Sequence, residues 1–355
     1  MPLSWLRVER FRCLDETELL LDPSVNLFFG PNASGKTSLL EAAFFLGRGR
    51  SFRTRRRNPL IQHGESNFLV AGRCTAAHGE ISLGIRASPD SAEIHVNGRA
   101  VRSTASLVEV YPTQALDPDV HKLVEEGPAR RRRFLDWGVF HVEPEFLSGW
   151  HRYHLALRNR NAALNRGLGR SAVAAWDQEV GSSGERLAEQ RGRYLERLAG
   201  PLSEIGRSPL GAEITLKHLR GWSDGVLLVE QLGRAIAADE RNRATTIGPH
   251  RADLVIYLGD REAKGIVSRG QQKLLAAGLL LAQLRVQQEG WAGPGALMLD
   301  DPAAELDERS LEKLMGIIGM IRTQLWVSSL TGEVPGLPGS GKRFHVERGV
   351  IREVR

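Results

Sequence analysis

The sequence predicts an α/β fold whose parallel sheet carries a phosphate-binding loop, and three apolar segments support this prediction. Val25–Phe29 is typical of a buried strand, and a glycine-rich loop and a helix-like segment follow it. Ala296–Asp300 and Gln324–Ser329 are two more such runs, separated by the amphipathic stretch Leu311–Ile321. Strand, helix and strand in this order form a parallel α/β unit.

The loop after the first of these strands has the Walker A spacing: Gly30, four residues, then Gly35, Lys36 and Thr37. Its glycines let backbone N–H groups wrap phosphates, Lys36 reaches the β- and γ-phosphates of ATP, and Thr37 supplies a hydroxyl to Mg²⁺. The N-terminus of the following helix faces the same negative charge. The predicted nucleotide-binding loop comprises Gly30, Pro31, Asn32, Ala33, Ser34, Gly35, Lys36, Thr37 and Ser38.

A second segment, Gly336–Arg343, repeats the glycine and lysine spacing but lacks the rest of the pattern. Arg343 stands where the magnesium-binding hydroxyl would be, and no apolar helix follows. We therefore predict that this segment is a loop between strands.

Two adjacent acids, Asp300 and Asp301, lie at the end of a predicted strand. In P-loop enzymes the first such acid holds magnesium, and the next can polarise the attacking water. Paired acids at a strand end can also cap the following turn, which here begins at Pro302. Beside a Walker A loop we favour the catalytic interpretation. The predicted catalytic residues are Lys36 and Asp301, and the predicted metal ligands are Thr37 and Asp300.

The remaining segments predict a β-rich part and a large insertion. Residues 64–110 alternate in short apolar runs, and the pair Asn97–Gly98 is a hairpin signal. Residues 121–242 combine helical apolar spacing with many charges, but glycines interrupt them too often for a long coiled coil. We therefore predict a head of residues 1–120 and 243–355 and a compact helical lobe of residues 121–242.

The composition is that of a globular protein. The chain has 355 residues, of which 41% are hydrophobic and 25% charged. Its longest apolar run, Leu274–Leu284, is about half of the roughly 20 residues that a membrane-spanning helix needs. Cys13 and Cys74 have no metal-ligand spacing and imply no disulfide framework. We expect a cytoplasmic protein with no membrane partner.

The positive charge is carried mainly by arginine and is clustered. The net charge is +6, and the chain contains 41 arginines but only 7 lysines. Guanidinium groups match phosphate geometry, so arginine clusters are typical of polyanion binding, although solvated faces also carry them. One arginine cluster supplies the candidate DNA-binding residues, which are Arg50, Arg53, Arg55, Arg56 and Arg57. A second arginine cluster is Arg130–Arg133.

Four segments, in order along the chain, resemble the ABC-type ATPase heads of chromosome and repair proteins. The third contains the strand-end acids described above. The four segments are GPNASGKT at Gly30–Thr37, the signature-like SRGQQK at Ser268–Lys273, LMLDD at Leu297–Asp301 and ELD at Glu305–Asp307.

Further segments, several outside any nucleotide site, are similar to those of the bacterial RecF family within this SMC-like superfamily. They are Gly47–Thr54, Gly127–Phe140, Leu157–Leu164 and Thr246–Leu254. The resemblance implies an ABC-type P-loop ATPase head with a β-rich subdomain and an inserted compact helical lobe. Because 232 residues separate Lys36 from Ser268, far more than in transporter subunits, a transporter ATPase is disfavoured.

The resemblance also implies that ATP joins two copies into a homodimer. In such heads the signature helix covers the γ-phosphate bound by the second subunit, so its residues act in trans. A candidate sensor, Gln114, follows the strand-like Val108–Tyr111. Beyond the Walker A loop, the residues implied to contact the nucleotide are Ser268, Arg269, Gly270, Gln271, Asp307 and Gln114.

At the level of function, the resemblance implies an ATP-dependent recombination mediator. Such a protein binds duplex DNA and gapped or single-stranded junctions, hydrolyses ATP slowly with Mg²⁺, and loads a recombinase together with RecO and RecR. One alternative is a nucleotide-switched DNA clamp with negligible hydrolysis. An ABC-headed nuclease is disfavoured, because it would need an acidic metal domain after the head and few residues follow Ser329.

Two segments of the sequence depart from the family pattern. Ala252 stands before Asp253 where a second acid is usual, so we assign no acid-dependent role to that position. Ser328, Ser329 and Leu330 stand at the end of the predicted strand Gln324–Ser329, where threonines are usual, so the identity of the switch residue, Ser328 or Ser329, stays open.

Overall fold

The computed structural model describes residues 1–76, 79–207, 210–288 and 295–354, and the chain divides into two compact units. Unit 1 consists of Met1–His121 and Ala276–Arg355, and unit 2 of Lys122–Leu275. None of the helices in these described ranges is long and apolar enough to cross a lipid bilayer.

The strands are short and distributed over both units. They are β1 (Leu3–Phe11), β2 (Leu14–Leu20), β3 (Val25–Phe29), β4 (Phe68–Ala76), β5 (Gly79–Ala87), β6 (Ala92–Val96), β7 (Arg99–Val101), β8 (Thr113–Leu116), β9 (Ile214–Leu219), β10 (Asp253–Leu258), β11 (Arg261–Glu262), β12 (Ala296–Asp300), β13 (Gln324–Ser329), β14 (Lys342–Glu347) and β15 (Val350–Val354).

The helices range from single turns to a helix of 31 residues. They are α1 (Lys36–Arg48), α2 (Ala105–Val110), α3 (Lys122–Glu125), α4 (Pro128–Val142), α5 (Phe146–Arg166), α6 (Arg170–Ala174), α7 (Asp177–Arg207), α8 (Leu228–Asn242), α9 (Arg269–Gln288), α10 (Pro302–Glu305) and α11 (Glu308–Gly319), with 3₁₀ turns at Asn58–Leu60 and Pro249–Arg251.

Unit 1 contains the sheet that positions the nucleotide loop. Its strand order is β15–β14–β3–β13–β12–β8, and all of these strands except the edge strand β15 pair in parallel. Phe28 on β3 stacks on Trp326 of β13 and Phe344 of β14, with ring centroids 5.4 and 5.0 Å away. This buried aromatic layer fixes the strands side by side, so their C-terminal ends meet at one edge. The predicted α/β fold and its three strands are confirmed.

A second sheet in unit 1 has the order β2–β1–β4–β5–β6–β7 and is antiparallel. Asn97 and Gly98 take φ values of 50° and 73° between β6 and β7, as a two-residue hairpin turn requires. The predicted β-rich part is confirmed.

One predicted strand is wrong. Val108–Tyr111 was expected to be strand-like, but Ala105–Val110 form α2, and the Tyr111 N–H donates to the carbonyl of Leu107 to end it. The strand is β8, which starts two residues later. Short apolar runs do not distinguish helix from strand by periodicity, and here the chain needs a turn of helix before it enters the sheet.

Unit 2 combines helices α3–α8 with the antiparallel sheet β11–β10–β9. It extends to Leu275, whereas the sequence placed residues 243–275 in the head. The reason is non-local pairing: β10, which follows α8, pairs along its whole length with β9. The second unit is therefore not purely helical.

A buried ion-pair network in unit 2 accounts for several segments that resemble the RecF family. Arg160 on α5 is fully buried and donates to Asp177 at 2.7 Å, to Asp239 at 2.6 Å and to the Thr245 hydroxyl at 2.9 Å. Arg131 on α4 donates to both carboxylate oxygens of Asp253, at 2.7 and 2.9 Å. These charges are paired inside unit 2, as buried charges must be.

The departure at Ala252 lies beside this network. Its side chain is buried, and its carbonyl accepts a hydrogen bond from Arg132 at 2.7 Å. The neighbouring Asp253 is the acid that pairs with Arg131.

Candidate functional site

The predicted Walker A loop forms between β3 and α1 in unit 1. Gly30 has φ +150°, and a Cβ there would lie 2.2 Å from the carbonyl oxygen of Val346, so only glycine fits. Gly35 has φ +114° and precedes α1 without a side-chain cap. The first N–H groups of α1 have no intrahelical acceptor and are available to an anion.

Two side chains of the loop are poised to donate hydrogen bonds. The buried Lys36 Nζ donates to the carbonyl oxygens of Gly30 and Pro31, each at 2.7 Å. The Ser34 hydroxyl is also buried and has no hydrogen-bond partner among the described residues. Phosphate oxygens are acceptors, so an ammonium, an unsatisfied hydroxyl and helix N–H groups in one loop suit a nucleotide phosphate.

The loop residues divide by exposure. Those that shape the loop are buried, whereas its tip faces solvent. Gly30, Ser34, Gly35, Lys36 and Ser38 are buried, Thr37 is half-buried, and Pro31, Asn32 and Ala33 are exposed.

The structure brings the strand-end acids to this loop. The Thr37 hydroxyl donates to Asp300 Oδ1 at 2.8 Å, although 263 residues separate them in sequence. Asp301 directly follows β12 and has the left-handed φ of +48°. Burial raises the pKa of Asp301, the Asp300 carboxylate raises it further, and the Lys36 ammonium opposes both.

The same residues suit a magnesium ion. Mg²⁺ prefers oxygen ligands and is held in nucleotide sites by one or two protein oxygens together with phosphates and water. The Thr37 hydroxyl and the Asp300 carboxylate supply such oxygens side by side. Within the described residues there is no group of three or more His, Cys, Asp or Glu side chains arranged for a metal ion, and a site of this kind needs none.

The signature segment, Ser268–Gln271, lies at the start of α9 in unit 2. The Ser268 N–H donates to Gln271 Oε1 at 2.9 Å, and the Gln271 N–H donates to the Ser268 hydroxyl at 3.3 Å. This reciprocal capping box fixes the helix start. All four residues, including Arg269 and Gly270, are exposed, so the segment is accessible to a partner.

Two other predicted nucleotide contacts have clear local roles. Asp307 is the N-cap of α11 and accepts from the Ser310 N–H at 2.7 Å, which lowers its pKa. Gln114 lies within β8, where its Nε2 donates to Gln283 at 2.7 Å and its Oε1 accepts from Arg48 at 3.1 Å. Gln114 is buried beside Leu297, three residues before the end of β12, so the structure does not bring it to the phosphate loop.

The basic loop, Arg50–Arg57, connects α1 to the 3₁₀ turn at Asn58–Leu60. Its backbone is folded by its own hydroxyls, because Ser51 Oγ accepts from the N–H groups of Arg53 and Thr54 at 2.9 and 3.0 Å. Four of the predicted DNA-binding residues are exposed and the fifth is half-buried. The exposed residues are Arg50, Arg53, Arg55 and Arg56, and the half-buried one is Arg57.

A buried carboxylate connects this loop to the nucleotide helix, and sequence reasoning missed it. Glu41 on α1 is fully buried and accepts two hydrogen bonds from Arg12 and one from the Ser51 hydroxyl. Arg53 lies 3.8 Å from the same carboxylate. A glutamate one turn after Thr37 on an apolar helix face was the available signal in the sequence.

Two tight turns that sequence reasoning also missed pack on the Walker A loop. The Gly349 N–H, in the turn between β14 and β15, donates to the Ser34 carbonyl at 2.8 Å. Cys13, in the turn between β1 and β2, has its Sγ 3.6 Å from Ser38 Oγ. Gly349 has φ +78°, and a Cβ there would lie 2.3 Å from the Cys13 carbonyl oxygen. The two turns therefore brace the loop.

The second glycine and lysine segment forms no such site. Gly336–Gly341 is a loop, as predicted, but Lys342 already belongs to β14. Its Nζ donates to the Leu20 carbonyl and to Glu353, both at 3.0 Å. Because a strand rather than a helix follows this loop, it offers no helix N-terminus to a phosphate.

The parallel sheet, the Walker A loop and the strand-end acids together define an ABC-type P-loop ATPase head. A family model described as the RecF/RecN/SMC N-terminal domain matches residues 2–336. The DNA replication and repair protein RecF of Pseudomonas fluorescens is 38% identical over 361 residues, which cover 99% of this chain and 98% of that relative. RecF of Pseudomonas aeruginosa is 37% identical with the same coverage. The chain belongs to the bacterial RecF family of SMC-like ABC-type ATPases.

Solved structures agree with this assignment. A structure of the recombination mediator protein RecF with ATP, in the RecFOR pathway, has a TM-score of 0.89 and 26% identity. The match covers 100% of this chain and 98% of the chain in that structure. An Smc head bound to the C-winged helix domain of ScpA has a TM-score of 0.60 and 16% identity, with 100% and 97% covered, and shows the fold alone.

Proposed function

We propose that this chain is an ATP-dependent, DNA-binding recombination mediator with slow, DNA-stimulated ATP hydrolysis. The observation that carries the proposal is the 2.8 Å hydrogen bond from Thr37 to Asp300, which joins the Walker A loop and the strand-end acids in one site. Relatives named as DNA replication and repair proteins, and a RecF structure with ATP, support it.

The site residues divide the chemistry among them. The N–H groups of the loop, the Ser34 hydroxyl and Lys36 bind the phosphates, and Thr37 and Asp300 hold Mg²⁺. When bound, Mg²⁺ neutralises charge on the phosphate oxygens. Asp301 orients the attacking water or accepts its proton.

We infer that the site is completed by a second copy of the chain. The signature segment is exposed at a helix N-terminus, where N–H groups and the Ser268 hydroxyl can reach a γ-phosphate bound by the partner. Asp307 is also exposed, at the start of α11, and contributes a second contact to the nucleotide bound by the partner. ATP then stabilises a homodimer because each nucleotide contacts both copies.

The basic loop is the proposed DNA contact. Its exposed arginines present positive charge to solvent, and we expect them to bind DNA mainly through phosphate contacts. Because Glu41 holds Ser51 of this loop to the nucleotide helix, DNA bound there contacts a segment tied to α1. This connection supports a stimulation of hydrolysis by DNA.

The partners follow from the relatives. The solved RecF structures are described within the RecFOR pathway, which supports RecR and RecO as partners of this chain. We propose that it acts with them at DNA gaps or junctions, where a recombinase must be loaded.

The proposal is tested by ATP turnover per subunit as protein concentration rises, with and without duplex DNA. We expect turnover to rise with both, because the site needs two copies and DNA stimulates it. Lys36→Ala should lower turnover by at least about a hundredfold, the loss of roughly 3 kcal/mol of charge-assisted hydrogen bonds. Lys342→Ala is the matched control and should not change it. Turnover that is flat in concentration and DNA would contradict the proposal.

The DNA contact is tested by the salt dependence of DNA affinity. Replacing Arg53, Arg55 and Arg56 with alanine should reduce the slope of log affinity against log salt by about two to three, since each lost phosphate contact removes about 0.9. A control triple, Arg86, Arg99 and Arg102 to alanine, makes the same charge change on exposed positions of β5, β7 and the residue that follows β7. An equal change of slope in both triple variants would show that the basic loop is not a specific DNA contact.

A further inference from the structure

Ser328, at the C-terminal end of β13, contacts both strand-end acids and has no role in the mechanism described so far. It is fully buried, and in the sheet it pairs with Asp300 of β12 on one side and Phe28 of β3 on the other. It therefore lies between the strand that leads into the Walker A loop and the strand that carries the acids.

The single hydroxyl of Ser328 makes two hydrogen bonds of opposite sense. It donates to Asp300 Oδ1 at 2.8 Å and accepts from the Asp301 N–H at 2.9 Å. A hydroxyl has one proton, so these two bonds fix its orientation. One side chain thus aligns the carboxylate of one acid and the backbone of the next.

The backbone of Asp301 needs such support. Its φ of +48° and ψ of +58° place it in the left-handed region, which costs a residue with a Cβ roughly 1–2 kcal/mol. The Asp301 N–H has Ser328 Oγ as its acceptor, and this bond holds the residue where its carboxylate follows the end of β12.

The bonds to Asp300 also leave one carboxylate oxygen available. Both the Thr37 and the Ser328 hydroxyls donate to Oδ1, and among the described residues no hydrogen bond reaches Oδ2. Two donors on one oxygen hold the carboxylate plane and leave the other oxygen for a cation.

The neighbouring Ser329 does not share this arrangement. Its hydroxyl accepts from the Thr331 N–H at 3.3 Å, in the turn after β13. The structure therefore distinguishes the two serines that the sequence left equivalent.

We propose that Ser328 is a positioning residue of the ATPase site, which holds Asp300 for the metal and Asp301 for the attacking water. The proposal rests on the proposed ATPase function and adds a residue to it. Residues that orient metal ligands through hydrogen bonds typically change metal affinity or activity by about 10- to 100-fold when they are replaced.

Three variants separate hydrogen bonding from packing. Ser328→Ala removes the hydroxyl, Ser328→Cys keeps the volume with a much weaker donor and acceptor, and Ser328→Thr keeps the hydroxyl. Thr323→Ala is the matched control, because it removes a hydroxyl that donates to the Gly295 carbonyl at 2.7 Å just before the same strand begins.

The measurements are kcat and KM for ATP, and Mn²⁺ affinity in the presence of ADP, followed by electron paramagnetic resonance. We expect the Ala and Cys variants to lose about tenfold in Mn²⁺ affinity and about 10- to 100-fold in kcat, with KM for ATP within about twofold. The Thr variant should return to within about threefold of the wild type in both quantities. Thr323→Ala should match the wild type.

Two results would overturn the proposal. One is wild-type Mn²⁺ affinity in both the Ala and the Cys variant. The other is a Thr variant that unfolds at the wild-type temperature but is as impaired as Cys. A wild-type protein without turnover would instead refute the ATPase function, and the Mn²⁺ titration, which needs no hydrolysis, would still decide the role of Ser328.

Discussion

The nucleotide site of unit 1 and the ion-pair network of unit 2 differ in backbone strain and in how their charged groups are paired. In unit 1 the Ser34 hydroxyl is buried and has no hydrogen-bond partner among the described residues, Asp301 has a left-handed backbone, and the pKa of Asp301 is raised. In unit 2 the buried Arg160 and Arg131 are paired with carboxylates at 2.6–2.9 Å.

This difference separates two meanings of a family motif. A strained backbone and a carboxyl group with a raised pKa persist only where the surrounding structure imposes them, and they are typical of sites that act on a ligand. Buried arginines paired with carboxylates stabilise a fold because their charge is already neutralised, even though Arg160 Nη2 itself has no hydrogen-bond partner among the described residues. The Walker A and strand-end motifs are of the first type, and the motifs around Arg160 and Asp253 are of the second.

The largest expected effect tests the unit 1 side of this comparison. Asp301→Asn should lower turnover by about 10²- to 10⁴-fold, because the amide cannot accept the proton of water. Nucleotide affinity and unfolding temperature should stay near the wild type, and dimers should accumulate on ATP. Turnover and dimer lifetime are measured together. Unchanged turnover would contradict a catalytic Asp301 and favour a nucleotide-switched clamp.

The matching change in unit 2 should act on stability instead. Arg160→Met leaves Asp177 and Asp239 buried without their shared cation, which costs roughly 3–5 kcal/mol of unfolding free energy. Denaturant unfolding measures this cost. Arg158→Met, at an exposed position on the same helix, is the control and should change little. A loss of nucleotide affinity in the folded Arg160 variant, with unchanged stability, would contradict the comparison.

A smaller effect should appear when the pH is lowered. Burial lowers the pKa of His250 to about 4, and the cations of Arg251 and Arg132 add to this. Its ring bonds to the Tyr153 hydroxyl and the Thr245 carbonyl within unit 2. In the unfolded chain the His250 ring binds a proton near pH 6.5, whereas in the folded chain it stays neutral down to about pH 4. The contribution of His250 to the free energy of unfolding is therefore fully present above about pH 6.5 and falls as the pH is lowered toward 4.

The expected slope is at most about 1.4 kcal/mol per pH unit for this histidine. Unfolding temperatures measured across this window should fall less steeply for His250→Asn than for the wild type. His218, whose pKa is also lowered to about 4, remains in the variant, so part of the slope should persist. Identical slopes would exclude His250 as a contributor.

The local parts of the site could be predicted from the sequence. The Walker A loop, β3, β12 and β13 each depend on residues adjacent in the chain, and their patterns are strong. The failure at Val108–Tyr111 is of the opposite kind, since a four-residue apolar run carries too little periodicity to decide between helix and strand.

The non-local parts could not be predicted. Ser328 and Asp300 are 28 residues apart, and Gly349 meets Ser34 from near the other end of the chain. The limit of unit 2 was missed for the same reason, because β10 returns to pair with β9. Motif spacing predicts the residues of the nucleotide site, but the strand order determines which other residues hold them in position.

We infer that two copies of the chain build each ATPase site, and mixing two inactive variants tests this most directly. Lys36→Ala removes the phosphate-binding lysine, and Ser268→Arg blocks the signature segment. Each should be inactive alone. An equimolar mixture should recover about a quarter of wild-type turnover, because half of the dimers are mixed and each of these has one intact site. A mixture as inactive as its parts, with dimers shown to exchange subunits, would contradict the claim.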